Sequence, residues 1–258
     1  MDRRLLRYIV HLIFLCISGK ILKDIFEVKR RVKCTEKEDI KKGEKTDSKK
    51  DLPLVSIVIP TKNEAEFIER LLESIKNQTY QNIETIVVDY ESDDATPEIA
   101  RKFGCRLIEV SRRGVGYATH VGFEAASGEI VIRTDADAIF PPDLISNVVR
   151  KIGDSDVYHV SHQYYDGSFV INLMAYLYDK YWRKPWETTG HFIAVKRELY
   201  RKVQFNPEMI LDDDWEFGQR AKNSNAKISF DLENFVLVSS RRIIKTGLLR
   251  YILGFRKR

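Results

Sequence analysis

The chain has few of the features that announce a special class of protein. Only three cysteines occur in 258 residues, Cys16, Cys34 and Cys105, and their spacing pairs none of them. A disulfide framework and a structural zinc site are therefore excluded, and a reducing compartment is the simpler setting. No internal repeat is present, which removes solenoids and propellers. Long apolar runs are missing too. The charge-free stretch between Arg7 and Lys20 is shorter than the roughly 20 residues that a membrane-spanning helix needs. No glycine-rich loop follows the first strand-like segment, where Pro60-Thr-Lys-Asn-Glu64 stands instead, and this disfavours a sugar nucleotidyltransferase. Aromatic and basic residues do not interleave in the tail, so nucleic acid is not an expected partner.

What is present is a core's worth of apolar residues, 43% of the chain, and an unusually high 31% of charged ones. The net charge of +5 gathers at the two ends. Residues 1–32 pair a basic start with an apolar centre, Tyr8 to Ser18, and form an expected short signal-anchor or interfacial helix, with an extra helix packed on the domain as the alternative. Residues 33–52 are almost wholly polar and make a solvated linker. Residues 241–258 mix Ile243, Ile244, Leu248, Leu249, Tyr251 and Ile252 with cations, the pattern of a basic amphipathic helix at a membrane surface. The two ends together place the protein at the cytoplasmic face of a membrane, with a purely cytoplasmic location as the alternative.

Between them, residues 53–240 alternate strand-like and helix-like segments. Strands are expected at 54–59, 83–89, 106–110, 129–137, 157–163 and 190–195, and two short ones at 228–231 and 235–239. Helices are expected at 64–76, 94–103, 117–126, 143–151, 169–186 and 197–202. Short loops join them, so the fold class is α/β, a mostly parallel sheet with helices on both faces, preceded by the amino-terminal helix. Strand ends then carry Asn63, Asp89, Asp135 and Asp137 to one edge of the sheet, where open α/β sheets bind ligands.

Glu129 to Asp137 is the centre of this pattern: a β-branched buried strand ending in two carboxylates two residues apart. In extended chain the two project to one side, a ready site for a hard divalent cation. The same residues serve equally as an Asp-rich turn before Pro141-Pro142. Asp213 and Glu216 likewise fit a capping box at the start of a helix running to Arg220.

Six stretches occur in the order and spacing of a known family: Val55-Ser-Ile-Val-Ile-Pro-Thr-Lys-Asn-Glu64, Ser74 to Tyr80, Glu84 to Thr96, Gly114 to Ala118, Ala126 to Ile130 and Asp135-Ala-Asp137. Over about residues 54–242 the chain resembles the family 2 inverting glycosyltransferases of the GT-A fold. The resemblance implies that Thr61, Asn63 and Glu64 hold the nucleoside of a UDP- or GDP-sugar, and that Asp89 contacts base or ribose. Arg113 to Gly116 would lie near the diphosphate. Asp135 and Asp137 would form the DxD motif that places Mn²⁺ or Mg²⁺ on the diphosphate, with Asp137 the direct metal ligand and Asp135 also touching the donor. The later acidic motif aligns so that Asp214 is the general base, while Asp213, His191, Trp215, Arg241 and Arg242 would contact the diphosphate or the acceptor. The acceptor would be a glycan or a lipid-linked hydroxyl. Tyr90 stands where the family often has a second Asp, and His120 where an Asn is common. The Gln-x-x-Arg-Trp motif of processive synthases is absent, which implies single transfers. A non-catalytic binding protein is the alternative from another class.

Overall fold

The structure is a computed structural model of the chain, and it describes residues 20–36 and 52–246. The apolar start before residue 20, most of the charged linker and the tail after residue 246 lie outside the described residues. The chain divides into two compact units. The larger comprises Ile40–His162 and Arg183–Ser239; the smaller comprises Met1–Asp39, Gln163–Trp182 and Ser240–Arg258.

The larger unit is built on strands whose sequences are apolar without alternation. In β1 (Val55–Thr61) six of seven residues are buried, and in β4 (Ile130–Arg133) all four are. Such strands are stable only with both faces covered. With β2 (Ile83–Tyr90), β3 (Arg106–Val110), β5 (Val157–Tyr164), β6 (Ile193–Lys196) and β7 (Ile228–Val238) they form a seven-stranded sheet of order β3-β2-β1-β4-β6-β5-β7. β3, β2, β1 and β4 are parallel; β6 runs antiparallel to both β4 and β5. The sheet is thus mostly parallel in its first half, as the alternation of elements requires. β4 is the central strand, where the parallel half meets the antiparallel one.

Helices α2 (Ala65–Lys76), α3 (Thr96–Lys102), α4 (Val115–Ala125), α5 (Leu144–Ile152), α7 (Arg197–Tyr200) and α8 (Asp213–Asn223) complete this unit. α2 turns Ile68, Leu71, Leu72 and Ile75 inward at helical spacing. One core cluster joins Val58, Val88 and Val131 of the sheet to Phe123 of α4 and Phe217 of α8. Phe205 stacks on Phe217 at 4.3 Å between ring centres and meets Phe123 edge-on at 5.0 Å. These rings fix α8 against α4, which matters because α8 opens with the acidic motif. The two short strands expected at 228–231 and 235–239 are a single strand, β7. The Asp231 carboxylate accepts from the backbone N–H groups of Glu233 (2.7 Å) and Asn234 (3.2 Å), so the polar interruption is absorbed without ending the strand.

The smaller unit contains α1 (Lys20–Glu36), α6 (Phe169–Tyr181) and α9 (Arg241–Thr246). α1 extends through residues 33–36, beyond the end expected from composition. Among the described residues no helix is long and apolar enough to cross a membrane.

Candidate active site

The loops that follow β1 and β2 are stitched together. Thr61 Oγ1 donates to Asp89 Oδ1 at 2.8 Å across the β1–β2 register. Ser92 donates to the same carboxylate through its hydroxyl (2.6 Å) and its backbone N–H (2.9 Å). Asn63, in the left-handed region at φ 55°, donates its N–H to Ser92 Oγ and accepts from the N–H of Asp93. Glu64 N–H donates to Thr96 Oγ1 and Ala65 N–H to Asp94. Asp94 is held below the usual carboxylate range: its hydrogen bonds from Thr96 and the backbone outweigh the burial that would raise it. Thr61, Asn63, Glu64 and Asp89 are therefore neighbours, as expected from the sequence. Asp89 is buried and both its oxygens are engaged, so in this structure it shapes the loop pair.

The amino end of α4 leans on the segment before α8. Gly116 N–H donates to Met209 O at 3.0 Å, and a Cβ at Gly116 would lie 2.4 Å from Asn206 O. Only a glycine permits that approach. Arg113 is exposed in the loop just before the helix.

Antiparallel pairing of β4 with β6 places the residues after Arg133 beside those before Ile193. Thr134 Oγ1 donates to His191 O at 2.8 Å, and His191 Nδ1 lies 3.1 Å from Asp135 Oδ2. With the carboxylate accepting, the imidazole carries its proton on Nδ1 and, when neutral, presents Nε2 as a lone pair. The other oxygen, Asp135 Oδ1, accepts from Arg133 Nη1 at 2.7 Å.

Arg133 is the hub of the site. It is 3% exposed, and its Nη2 reaches Asp213 Oδ1 at 3.5 Å. Burial alone would lower its pKa; Asp135, Asp213 and Asp214 together raise it. A Cβ at Gly190 would fall 1.6 Å from Nη1, so the missing side chain is the room the guanidinium occupies. The N–H of Gly190 donates to Asp214 Oδ2 at 2.5 Å, and Trp215 N–H donates to Asp214 Oδ1 at 2.8 Å. Thr188 Oγ1 holds the Asp214 carbonyl at 2.5 Å.

The two adjacent acids have different environments. Asp213 is 1% exposed, and Thr119 Oγ1 donates to its Oδ2 at 2.9 Å. Burial pushes its pKa up to about 6, against the pull of Arg133. Asp214 is only partly buried. The capping box is not formed. Asp212, at φ 63°, is the N-cap and makes no side-chain cap bond; the Asp213 carboxylate points inward, and Glu216 pairs with Arg220 at 2.5 Å. Packing against Arg133 and Thr119 won the competition for the Asp213 side chain.

Asp137 is nearly buried, in the loop after β4. Among the described residues, no three His, Cys, Asp or Glu side chains converge on one point. An all-oxygen set of one or two carboxylates suits a hard cation that takes its remaining ligands from a diphosphate and water. Asp135 and Asp137 supply carboxylates of that kind in the loop after β4, where both Asp135 oxygens are engaged by Arg133 and His191. Arg241 and Arg242 open α9 and belong to the smaller unit. Arg133, Thr119 and Gly190 were not singled out in the sequence. The available signal was Arg133 itself, a charge directly after the buried run Ile130-Val-Ile132, which demands buried partners.

The model of the family described as Glycosyl transferase family 2 matches residues 56–210, ending just before the acidic motif. A dolichol-phosphate mannosyltransferase of Pyrococcus furiosus is 31% identical over 172 residues, 59% of this chain and 49% of that protein. The glycosyltransferase GlyG of Streptococcus pneumoniae is 32% identical over 188 residues, 62% of each. The chain thus spans less than two thirds of either relative. Among solved structures, the mannosyltransferase PcManGT of Pyrobaculum calidifontis, in complex with GDP-Man and Mn²⁺, superposes with a TM-score of 0.61 at 26% identity, covering 87% of this chain and 67% of that one.

Proposed function

Because the chain belongs to glycosyl transferase family 2, we propose that it transfers a hexose from a UDP- or GDP-sugar to an acceptor hydroxyl, in one displacement that inverts the anomeric carbon. The observation that carries this reading is the Arg133 hub. It ties Asp135, on the metal-binding loop, to the acidic motif that supplies the base. A GDP-Man and Mn²⁺ complex of a similar fold supports it.

In this reading Thr61, Asn63 and Glu64 cradle the nucleoside in the loop that Asp89 braces, and Arg113 with the Gly116 turn faces the diphosphate. Asp137, with Asp135, holds Mn²⁺ or Mg²⁺. A cation held there would supply positive charge against the developing negative charge of the diphosphate leaving group. Asp214 takes the proton of the acceptor hydroxyl as that oxygen attacks. The N–H groups of Gly190 and Trp215 fix its orientation, and its partial exposure leaves it reachable. Asp213 is too buried to meet an acceptor and acts as a support for Arg133. His191, held by Asp135, and Trp215 flank the base on the acceptor side. The acceptor is a glycan or a lipid-linked hydroxyl.

The test is release of nucleoside diphosphate from UDP- and GDP-hexoses with Mn²⁺ present. Asp214→Asn is expected to lower kcat about 10²- to 10⁴-fold, the usual worth of a general base, while nucleoside diphosphate still raises the melting temperature. Asp137→Ala is expected to abolish the dependence of that rise on Mn²⁺. Full activity in either variant, or release of pyrophosphate instead, would overturn the assignment.

A further inference from the structure

The smaller unit buries charged side chains and leaves large apolar ones exposed. On α1 the inward face is Asp24, Val28 and Arg31, at 1%, 0% and 3% exposure. The Asp24 carboxylate accepts from Tyr181 Oη at 2.9 Å and pairs with Lys180 of α6; the Arg31 guanidinium lies 4.8 Å from the centre of the Tyr176 ring. The opposite face of α1 leaves Leu22 and Phe26 at 62% and 71% exposure, one turn apart. Lys29 and Arg30, also exposed, continue the same face. α6 buries Tyr176 and Leu177 along with polar residues. Asn172 and Asp179 are buried, whereas Val170, Met174 and Tyr178 are exposed at i, i+4 and i+8. On α9, Ile244 is exposed beside Arg242 and Lys245.

Water alone does not favour this arrangement, since it leaves apolar surface hydrated while charges are buried. Nine large hydrophobic side chains are exposed among the described residues, and six of them belong to this unit, which is less than a third of the chain. Its charge is equally one-sided. The described residues of the unit include 10 Lys and Arg against 5 Asp and Glu, a net +5.

We infer that the smaller unit is a docking surface for an anionic phospholipid bilayer, with Phe26 and Leu22 of α1 and Met174 of α6 entering the acyl boundary and the flanking cations meeting the headgroups. A nucleic acid would satisfy the cations and leave the apolar stripes exposed. Apart from Arg242, this surface uses no residue assigned to the transfer reaction.

The test is flotation of the full chain with phosphatidylcholine vesicles and with vesicles that also contain phosphatidylglycerol. The protein is expected to float with the anionic vesicles, and less so as salt is raised. Phe26→Glu combined with Met174→Glu leaves both chain ends intact and is expected to lower partition about tenfold or more, with the melting temperature and circular dichroism of the wild type. Should that variant misfold, Lys29→Glu with Lys245→Glu alters only exposed positions and is expected to weaken binding to the anionic vesicles alone. The inference is overturned if the wild type does not float, if it floats equally on phosphatidylcholine, or if both double variants float like the wild type. It is also overturned if the wild type is a dimer that Phe26→Glu with Met174→Glu dissociates, or if it binds duplex nucleic acid and no vesicle.

Discussion

A guanidinium removed from water needs compensating charge, and at Arg133 that charge comes from Asp135 at 2.7 Å and Asp213 at 3.5 Å. Breaking a buried ion pair from one side costs more than the pair contributes, because the abandoned charge stays buried. Arg133→Met is accordingly expected to destabilise the fold by about 3–5 kcal/mol, and adding Asp213→Asn to recover part of that, as measured by urea unfolding. Arg133→Lys keeps the charge and loses the fork that spans two carboxylates; it should retain folding better than it retains kcat. Asp213 makes a second prediction. Its pKa is pushed up to about 6 on folding, so the folded state holds its proton more tightly than the unfolded chain does. Stability from this group is therefore present at low pH and declines as pH rises from about 4 through about 6, by roughly 3 kcal/mol at most. In Asp213→Asn that decline should disappear from the difference between urea midpoints at about pH 4 and about pH 7.

Elements deliver these residues with less freedom than side chains have. Parallel register sets Thr61 opposite Asp89, and side-chain bonds then join the two loops into one platform. Asp89→Ala removes the carboxylate on which Thr61 and Ser92 converge. It is expected to cost about 2–3 kcal/mol of stability and to weaken nucleoside diphosphate binding at least about tenfold, with a smaller effect on kcat at saturating donor; calorimetric titration separates the two. Strand and helix positions in this half were legible in the sequence, because strands buried on both faces are continuous apolar runs and helices such as α2 carry their core residues at helical spacing. Two local features were not. The stretch Asp231-Leu-Glu-Asn234 mimics a turn, yet the Asp231 side chain supplies the bonds that carry β7 through it. Asp213 mimics a cap, yet its partner lies 80 residues away in β4.

At the scale of the molecule, the segment Gln163–Trp182 shares one unit with α1 and α9, while the residues on either side of it belong to the other. α1 covers Tyr176, Lys180 and Tyr181 of α6. Deleting residues 1–36 strips Val28 and the Asp24 pair from that face and should destabilise the smaller unit by about 2–4 kcal/mol. The melting profile should show it as a lower first transition, with nucleotide binding by the larger unit retained.

The sequence by itself determined the mostly parallel sheet, the order of its elements, the family, and the edge to which Asn63, Asp89, Asp135 and Asp137 are carried. The sheet, its order and that edge follow from periodicity and spacing along the chain, and the family from the resemblance of its motifs; both signals are local. Only the tertiary structure decided what those carboxylates touch. Antiparallel pairing of β4 with β6 brought Gly190 and His191 beside Asp135, and packing of α8 on α4 brought Asp213 to Arg133. Partners so distant in sequence leave no periodic trace, and a buried charge such as Arg133 declares that it has partners without declaring which.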